Sequence, residues 1–199
     1  MTGARVAGVV LAAGRSRRLG TPKQLLPYGA TTLLGATLEV ARRCRFDQLI
    51  VTLGGASGEV SAAVALDGVQ TVVAKDFAAG CSSSLRAALA HVDPMADGIV
   101  LMLGDQPGVR PACVARLLAL RGANPIAVCR YSNGIGHPFW LGRPVFADLD
   151  RLHGDKGVWK LVDRARASGT LAEVPIDDAI PLDVDTWADY RRLLESVPR

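Results

Sequence analysis

The amino-acid sequence predicts an α/β protein, a three-layer α/β/α sandwich of Rossmann-like type with a mostly parallel central sheet. Short apolar, β-branched runs alternate with segments of helical periodicity over residues 5–129. The chain has 199 residues, of which 49% are hydrophobic and 21% charged, as is typical of one globular domain. Repeated strand–helix units favour parallel strands with helices on both faces of the sheet. We therefore expect a single domain over residues 1–199.

The individual elements follow from hydrophobic periodicity and from turn residues. Apolar runs that are too short for helices predict five strands, at residues 5–12, 48–53, 69–74, 98–103 and 126–129. Amphipathic patterns between them predict helices at residues 32–43, 57–66, 82–91 and 111–120. Pro111 opens the last of these helices at a favoured first-turn position. The less regular remainder predicts strands at 137–141 and 171–176, and helices at 158–167 and 186–195.

The composition argues against several classes of protein. The net charge is +4, with cations concentrated near the start of the chain and aspartates near its end. A nucleic-acid-binding surface is usually more uniformly basic, so we expect no nucleic-acid partner. The four cysteines and three histidines are scattered, which disfavours a zinc site or a disulfide framework. No apolar stretch reaches the ~20 residues of a membrane span, so we expect no membrane contact and a cytoplasmic location.

The segment after the first predicted strand is the most distinctive part of the chain. Residues 11–26 hold two glycines and four cations, and no acidic residue precedes Glu39. Backbone N–H groups of a glycine-bearing loop can approach a phosphate chain, and clustered cations can neutralise its charge. The spacing fits neither the Walker A loop nor the G-x-G-x-x-G dinucleotide fingerprint. We therefore expect a polyanion that is bound by a loop of another kind.

Polar residues also follow other predicted strands. Asp105 comes directly after an apolar run, where a carboxylate can hold Mg²⁺ against phosphate oxygens or simply cap a turn. The serines in residues 80–84 stand at a helix start, where they can attract anions or act as ordinary N-caps. Asp183 and Asp185 share one face of an extended segment, although either could cap the last helix. Ligands of such sheets bind at the carboxyl ends of the strands, so we expect these groups to converge there.

The loop sequence LAAGRSRRLGTPKQLL at residues 11–26 resembles the signature L-A-[AG]-G-x-S-x-R-[ML]-G-x-x-K-x-L-L of the MobA-like nucleotidyltransferases. The GDQP string at 104–107 is similar to the family's metal-binding G-D-[QM]-P. Residues 183–189 are similar to D-[IV]-D-T-P-E-D, with Trp187 and Ala188 in place of Pro and Glu.

Other strings extend the resemblance in the expected order. Residues 80–84, similar to G-M-S-S-S with Cys in place of Met, and the Gln of GDQP both go with the cytidylyltransferase branch of the family. The GIGHP string at 134–138 is similar to the segment beside the acceptor substrate, although we do not predict that His137 is catalytic. The GDKG string at 154–157 is similar to a family turn in which Asp155 either receives a substrate hydroxyl or orders the turn.

The resemblance implies a nucleotide-diphospho-sugar transferase-like fold and the activity of a molybdenum cofactor cytidylyltransferase. CMP would pass from CTP to the terminal phosphate of molybdopterin, with release of pyrophosphate and with Mg²⁺ as cofactor. A molybdoenzyme or its maturation factor would receive the product. The alternatives are GTP-dependent guanylyl transfer, another MobA-like NTP transfer, and a non-catalytic carrier of the molybdenum cofactor. A nicotinamide-dependent dehydrogenase would lack its fingerprint here.

The resemblance also implies roles for individual residues. The catalytic residues would be Arg18, Lys23 and Asp105. The metal ligands would be Asp105 and Asp185, with Asp183 close behind. The residues that bind the cofactor substrates would be Leu11, Ala12, Ala13, Gly14, Arg15, Ser16, Lys23, Gly80, Ser82, Ser83, Ser84, Asp105 and Gln106. The family places residues 80–84 beside either the nucleotide or the pterin. Because Arg18 and Lys23 are loop cations, we expect their replacement to leave folding nearly untouched.

Overall fold

The computed structural model describes residues 4–154 and 156–195. Its strands are β1 (Val6–Ala12), β2 (Pro27–Tyr28), β3 (Thr31–Thr32), β4 (Gln48–Leu53), β5 (Gln70–Val73), β6 (Gly98–Leu103), β7 (Ile126–Tyr131), β8 (Gly134–Gly142) and β9 (Leu171–Pro175). Seven of these form one sheet in the order β5-β4-β1-β6-β8-β7-β9, and β2 pairs separately with β3. In the seven-stranded sheet only β8 runs antiparallel to its neighbours.

Seven α-helices surround the sheet within the described ranges. They are α1 (Leu33–Arg43), α2 (Ser57–Ala63), α3 (Cys81–Leu89), α4 (Pro111–Leu120), α5 (Phe146–Leu149), α6 (Gly157–Ala167) and α7 (Trp187–Glu195). Thr32 caps α1, because its hydroxyl accepts a hydrogen bond from the Gly35 N–H at 3.0 Å. Among these described helices, none is both long and apolar enough to cross a membrane.

Alternate residues of the central strand β1 face opposite layers of the core. Val6 and Val10 pack with helices α1, α2 and α4, whereas Ala7 and Val9 pack with helices α3, α5 and α6. The sheet is therefore covered on both faces, which confirms the predicted Rossmann-like three-layer α/β/α sandwich.

A third, smaller core cluster fastens the last helix to the segment that follows β1. It contains Leu19, Leu26, Leu33, Val184, Tyr190 and Leu193. The Tyr190 hydroxyl also donates to the Pro27 carbonyl at 2.5 Å. The cluster brings the residues just before α7 to the carboxyl end of β1, and so positions Asp185 there.

The direction of β8 differs from the parallel sheet that the repeated strand–helix units favour. Instead of a crossover helix, the two residues 132 and 133 connect β7 to β8 in a hairpin. The strand is also longer than the predicted 137–141, because pairing with β7 extends it back to Gly134. Since β8 is antiparallel, its first residues lie at the edge where the parallel strands end. The hairpin thus delivers the segment around His137 to that edge.

Candidate active site

The loop after β1, residues 13–22, is called the cationic loop below. It returns on itself so that the Ser16 hydroxyl accepts a hydrogen bond from the Lys23 backbone N–H at 2.9 Å. Ser16 has a positive φ of 50°. In the described part of the chain, the N–H groups of Ala13, Gly14, Arg15 and Ser16 donate to no protein acceptor. A run of free backbone N–H groups beside three arginines is suited to bind an anion.

A cavity of about 610 Å³ opens in front of this loop. Its walls come from the ends of β1 and β6, the starts of α3, α6 and β8, and the segment before α7. Most of the sequence-predicted site residues line it, namely Leu11, Ala12, Ala13, Gly14, Arg15, Ser16, Arg18, Lys23, Gly80, Ser84, Asp105 and Asp185. The structure thus brings together groups that are up to 174 residues apart, from Leu11 to Asp185.

In the part of the cavity wall called the cationic end below, Lys23 links two carboxylates. Its Nζ lies 2.5 Å from Asp105 Oδ2 and 3.0 Å from Asp185 Oδ1, and it also donates to the Val184 carbonyl at 2.9 Å. The side chains of Lys23 and Asp105 are only 14% and 13% exposed. The Arg18 side chain is more exposed, and its guanidinium lies 2.6 Å from Asp185 Oδ2.

This burial corrects the expectation that both cations are dispensable for folding. Replacing Lys23 would leave the buried Asp105 carboxylate without its partner, which is costly. The expectation stands for Arg18, whose side chain is 66% exposed and whose ion pair contributes little.

The charges of this cluster are strongly coupled. Burial lowers the pKa of Lys23, but the Asp105 and Asp185 carboxylates outweigh burial and hold that pKa above its ordinary value. Burial raises the pKa of Asp105, and the ammonium of Lys23 opposes this rise only in part. For Asp185, burial also raises the pKa, yet hydrogen bonds and charges from Lys23 and Arg18 bring it below its usual range. At neutral pH Lys23 is therefore a cation that neutralises a carboxylate site.

The start of α7 leaves Asp185 free for this pairing. Thr186, not Asp183 or Asp185, caps the helix, because its hydroxyl accepts from the Asp189 N–H at 3.2 Å. The Asp189 carboxylate in return accepts from the Thr186 N–H at 2.8 Å, as in a capping box. The alternative role of Asp185 as a helix cap is therefore not observed.

The serines at the start of α3 have two kinds of surroundings: Ser84 lines the cavity, whereas Ser82 and Ser83 bind backbone carbonyls. Gly80, whose φ of +103° suits glycine, precedes the helix and lines the cavity together with Ser84. Ser82 and Ser83 do not line it. Their hydroxyls donate to backbone carbonyls, that of Ser82 to Gly154 at 2.5 Å and that of Ser83 to residues 76 and 80. The serines therefore also fix the helix start, and their predicted contacts with the nucleotide or the pterin remain predictions.

Three other predicted residues lie away from the cavity wall or outside the described chain. The buried Gln106 amide donates to the Pro181 carbonyl at 3.2 Å. Asp183 is exposed, and it is near enough to Asp105 for its charge to add to the rise in the pKa of Asp105. Asp155 lies outside the described residues. Of the two C-terminal aspartates, Asp185 is the one that faces the cavity.

Another part of the cavity wall is aromatic, and it is called the aromatic end below. The His137 ring stacks on Phe139 with ring centroids 4.1 Å apart, and Trp159 meets both rings edge-on. His137 and Trp159 line the cavity, and Phe139 supports them from the core. Burial lowers the pKa of His137 to about 4, so its imidazole is neutral at physiological pH.

The hairpin that carries His137 is tied to the segment leading to Asp185. The Ser132 N–H donates to the Asp178 carbonyl at 2.9 Å, and the Ile180 N–H donates to Asn133 Oδ1 at 2.8 Å. Gly136 allows close approach here, since a Cβ atom at this position would lie 2.9 Å from the Ile180 side chain.

Sequence reasoning missed several cavity residues. Gln24 occupies a variable position of the loop signature, and Trp159 lies in a helix whose periodicity explains it as an ordinary core residue. Phe77 also lines the cavity, with the Arg15 guanidinium 5.8 Å from its ring centre. No sequence pattern singles out Trp159 or Phe77, whereas the position of Gln24 directly after Lys23 was a usable signal.

The fold and this cluster of loop, lysine and carboxylates define a nucleotidyltransferase-type protein. Residues 8–169 match the MobA-like NTP transferase domain, and the chain belongs to that family. The family assignment confirms the resemblance that the loop signature showed.

Individual relatives cover nearly the whole chain. Nicotine blue oxidoreductase of Paenarthrobacter nicotinovorans is 32% identical over 95% of this chain and 96% of its own length. A homologue of Rv0371c from Mycobacterium sp. strain JC1 is 64% identical, with a TM-score of 0.91 over 96% of both chains. Rv0371c of Mycobacterium tuberculosis H37Rv, solved as a complex with manganese, is 60% identical, with a TM-score of 0.88 over 98% of this chain and 100% of its own.

Proposed function

We propose that the protein is a molybdenum cofactor cytidylyltransferase, which transfers CMP from CTP to the terminal phosphate of molybdopterin and releases pyrophosphate. The observation that carries this proposal is the position of the Lys23 ammonium between Asp105 and Asp185, directly beside the free N–H groups of the cationic loop. A carrier of finished cofactor would have little use for such a cluster of charges.

The carboxylates fit a divalent cation. Oxygens of Asp105 and Asp185 already converge on one cationic atom, and hard carboxylate oxygens are the ligands that Mg²⁺ prefers. In residues 4–154 and 156–195 no three His, Cys, Asp or Glu side chains converge as metal ligands, so water and phosphate oxygens would complete the shell. The manganese complex of Rv0371c supports a divalent ion in this family. When bound, Mg²⁺ supplies Lewis-acid polarisation of the α-phosphate.

The protein's own groups then have separate tasks. The N–H groups of residues 13–16 hold the triphosphate, while Lys23 and Arg18 stabilise the charge that grows on the leaving pyrophosphate. Asp105 and Asp185 would hold the cation once the Lys23 ammonium, which lies between them in this structure, has turned to the phosphates. The acceptor phosphate attacks the α-phosphorus in line, so the protein contributes positioning and charge stabilisation without a covalent intermediate.

The acceptor is assigned to the aromatic end of the cavity. A flat pterin ring suits the Trp159 side chain and the neutral His137 imidazole, because stacking is favourable and no charge must be desolvated. The GIGHP string that supplies His137 also resembles the family's acceptor segment.

The test is pyrophosphate release from each of the four NTPs with molybdopterin and Mg²⁺ or Mn²⁺. We expect release with CTP, and a fall of about 10³ or more in kcat/KM after Asp105→Asn. Asp163→Asn, which removes an exposed carboxylate on α6, serves as the control and should keep full activity. Release with GTP alone would replace the base assignment by guanylyl transfer.

Two other results would contradict the transferase proposal. A protein that is silent with every NTP yet binds the cofactor tightly would be a carrier. Because one relative is an oxidoreductase, a further arm follows oxidation of NADH and NADPH with the same acceptors. Oxidation of NADH or NADPH without pyrophosphate release would make the protein an oxidoreductase instead.

A further inference from the structure

Gln24 is a buried polar residue that neither the loop signature nor the proposed chemistry uses. It follows Lys23 in the short 3-10 helix Lys23–Leu25 that ends the cationic loop. Its side chain is 5% exposed and contributes to the cavity wall. A residue that is so buried, and so close to the loop, calls for a physical account.

The Gln24 amide group holds two carbonyls of the loop region. Its Nε2 donates to the Ala12 carbonyl at 2.5 Å and to the Gly14 carbonyl at 3.2 Å. An amide nitrogen has two hydrogens, so both are used. In a trans peptide unit the C=O and the following N–H point in opposite directions. The N–H groups of Ala13 and Arg15, which belong to these two peptide units, are therefore turned away from Gln24.

This arrangement is unfavourable for Gln24 itself. Its Oε1 is buried and has no hydrogen-bond partner in the described part of the chain. A buried oxygen without a donor destabilises the folded state, so stability alone does not explain this side chain. A local conflict of this kind is typical of residues that serve a site.

We propose that Gln24 is a positioning residue for the polyphosphate chain. By binding the Ala12 and Gly14 carbonyls it prevents them from turning towards a bound phosphate, and it holds the N–H groups of Ala13 and Arg15 free for that anion. Lys23 completes the link, since its backbone N–H holds Ser16 while its ammonium binds Asp105 and Asp185. The inference rests on the proposed phosphate-binding role of the cationic loop, but not on the identity of the base or the acceptor.

The test compares Gln24→Met and Gln24→Glu with the wild type. Methionine keeps the length of the side chain and removes both donors together with the unpaired oxygen, whereas glutamate places acceptors against two carbonyls. The probe is inorganic tripolyphosphate with Mg²⁺, titrated by calorimetry, and melting temperatures are measured in parallel. We expect Kd to rise about tenfold or more in both variants. The melting temperature of Gln24→Met should change little, because removal of the unpaired oxygen offsets the loss of the hydrogen bonds to the Ala12 and Gly14 carbonyls.

Thr52→Val is the matched control. The Thr52 hydroxyl is also buried without a partner in the described chain, but it lies on β4 and makes no bond to the cationic loop. This variant should match the stability of Gln24→Met and bind tripolyphosphate as the wild type does.

Three results of the tripolyphosphate titrations and melting experiments would overturn the inference. These are unchanged tripolyphosphate affinity in Gln24→Met, a large loss of melting temperature with normal affinity, and a wild-type protein that does not bind tripolyphosphate. The outcome is separable from that of the proposed function. Tripolyphosphate binding that depends on Gln24 in a protein without pyrophosphate release would contradict only the transferase proposal. Normal KM and kcat for CTP in Gln24→Met would contradict only the positioning role.

Discussion

At the cationic end of the cavity, directed hydrogen bonds and charges fix each functional group. Lys23 and Gln24 together hold Ser16, Asp105, Asp185 and the carbonyls of Ala12 and Gly14. At the aromatic end, His137 and Trp159 are placed by packing against the core residue Phe139. Directed hydrogen bonds suit a phosphate chain, whose geometry is constant. Aromatic side chains that are held by packing can be substituted without a change of fold. Variants at the two ends should therefore fail in different ways.

The largest effect is expected from Asp105→Asn at the cationic end. The change keeps the size of the side chain but removes the charge that would hold the cation, and with it transition-state stabilisation of several kcal/mol. We expect kcat/KM for pyrophosphate release to fall by about 10³ or more. Binding of the finished dinucleotide, measured by calorimetry, should persist. Normal turnover in this variant would remove Asp105 from the metal site.

Lys23→Met and Arg18→Met should separate catalysis from folding. Both should lower kcat by about 10² through loss of charge stabilisation at the leaving group. Only Lys23→Met should also lose stability, by roughly 3 kcal/mol, because it leaves the buried Asp105 without a partner.

Denaturant unfolding measures this difference, with Lys160→Met, an exposed lysine on α6, as the control. Adding Asp105→Asn to Lys23→Met should recover stability without recovering activity. Equal stability of the two single variants would show that the Lys23–Asp105 contact does not contribute to the fold.

Trp159→Leu should have a smaller effect that is confined to the acceptor. Loss of the stacking surface should raise the acceptor KM about tenfold, since stacking on an aromatic side chain contributes about 1–3 kcal/mol. The Kd of CTP should not change. Trp187→Leu, at an exposed tryptophan on α7, is the matched control. A change in CTP affinity for Trp159→Leu would mean that the nucleotide, not the acceptor, occupies the aromatic end.

The smallest effect is a pH dependence from His137. Its folded pKa of about 4 lies below its unfolded value, so the unfolded chain binds the extra proton first as pH falls. The free energy of unfolding should decrease between about pH 6.5 and pH 4, by at most roughly 3 kcal/mol from this group, since one pKa unit corresponds to about 1.4 kcal/mol. His137→Gln should remove that part of the slope in urea titrations at several pH values. Identical slopes in the two proteins would show that the imidazole is hydrated in the folded state.

The sequence was informative where one local pattern determines one structure. The apolar runs of β1, β4 and β6 were located to within one residue, because fully buried parallel strands have few alternatives. The direction of β8 could not be read, since hydrophobic periodicity is the same for either direction. Lys23 and Asp105 were both named, yet their contact spans 82 residues and depends on the tertiary fold. The hydrogen bond from the Gln106 amide to the Pro181 carbonyl likewise depends on the tertiary fold, because it joins residues 75 positions apart.

The hairpin between β7 and β8 has a consequence for how such a chain can diverge. Its tip is joined by hydrogen bonds to residues 178–180, and this segment continues into Asp185. An insertion or deletion at the tip would therefore alter the shape offered to the acceptor and shift the Asp185 carboxylate at the same time. New acceptor preferences reached by lengthening this hairpin would require compensating changes after Ile180. Trp159 lies on a separate helix, so point substitutions there would change the acceptor site without moving Asp185. They are therefore the easier evolutionary route.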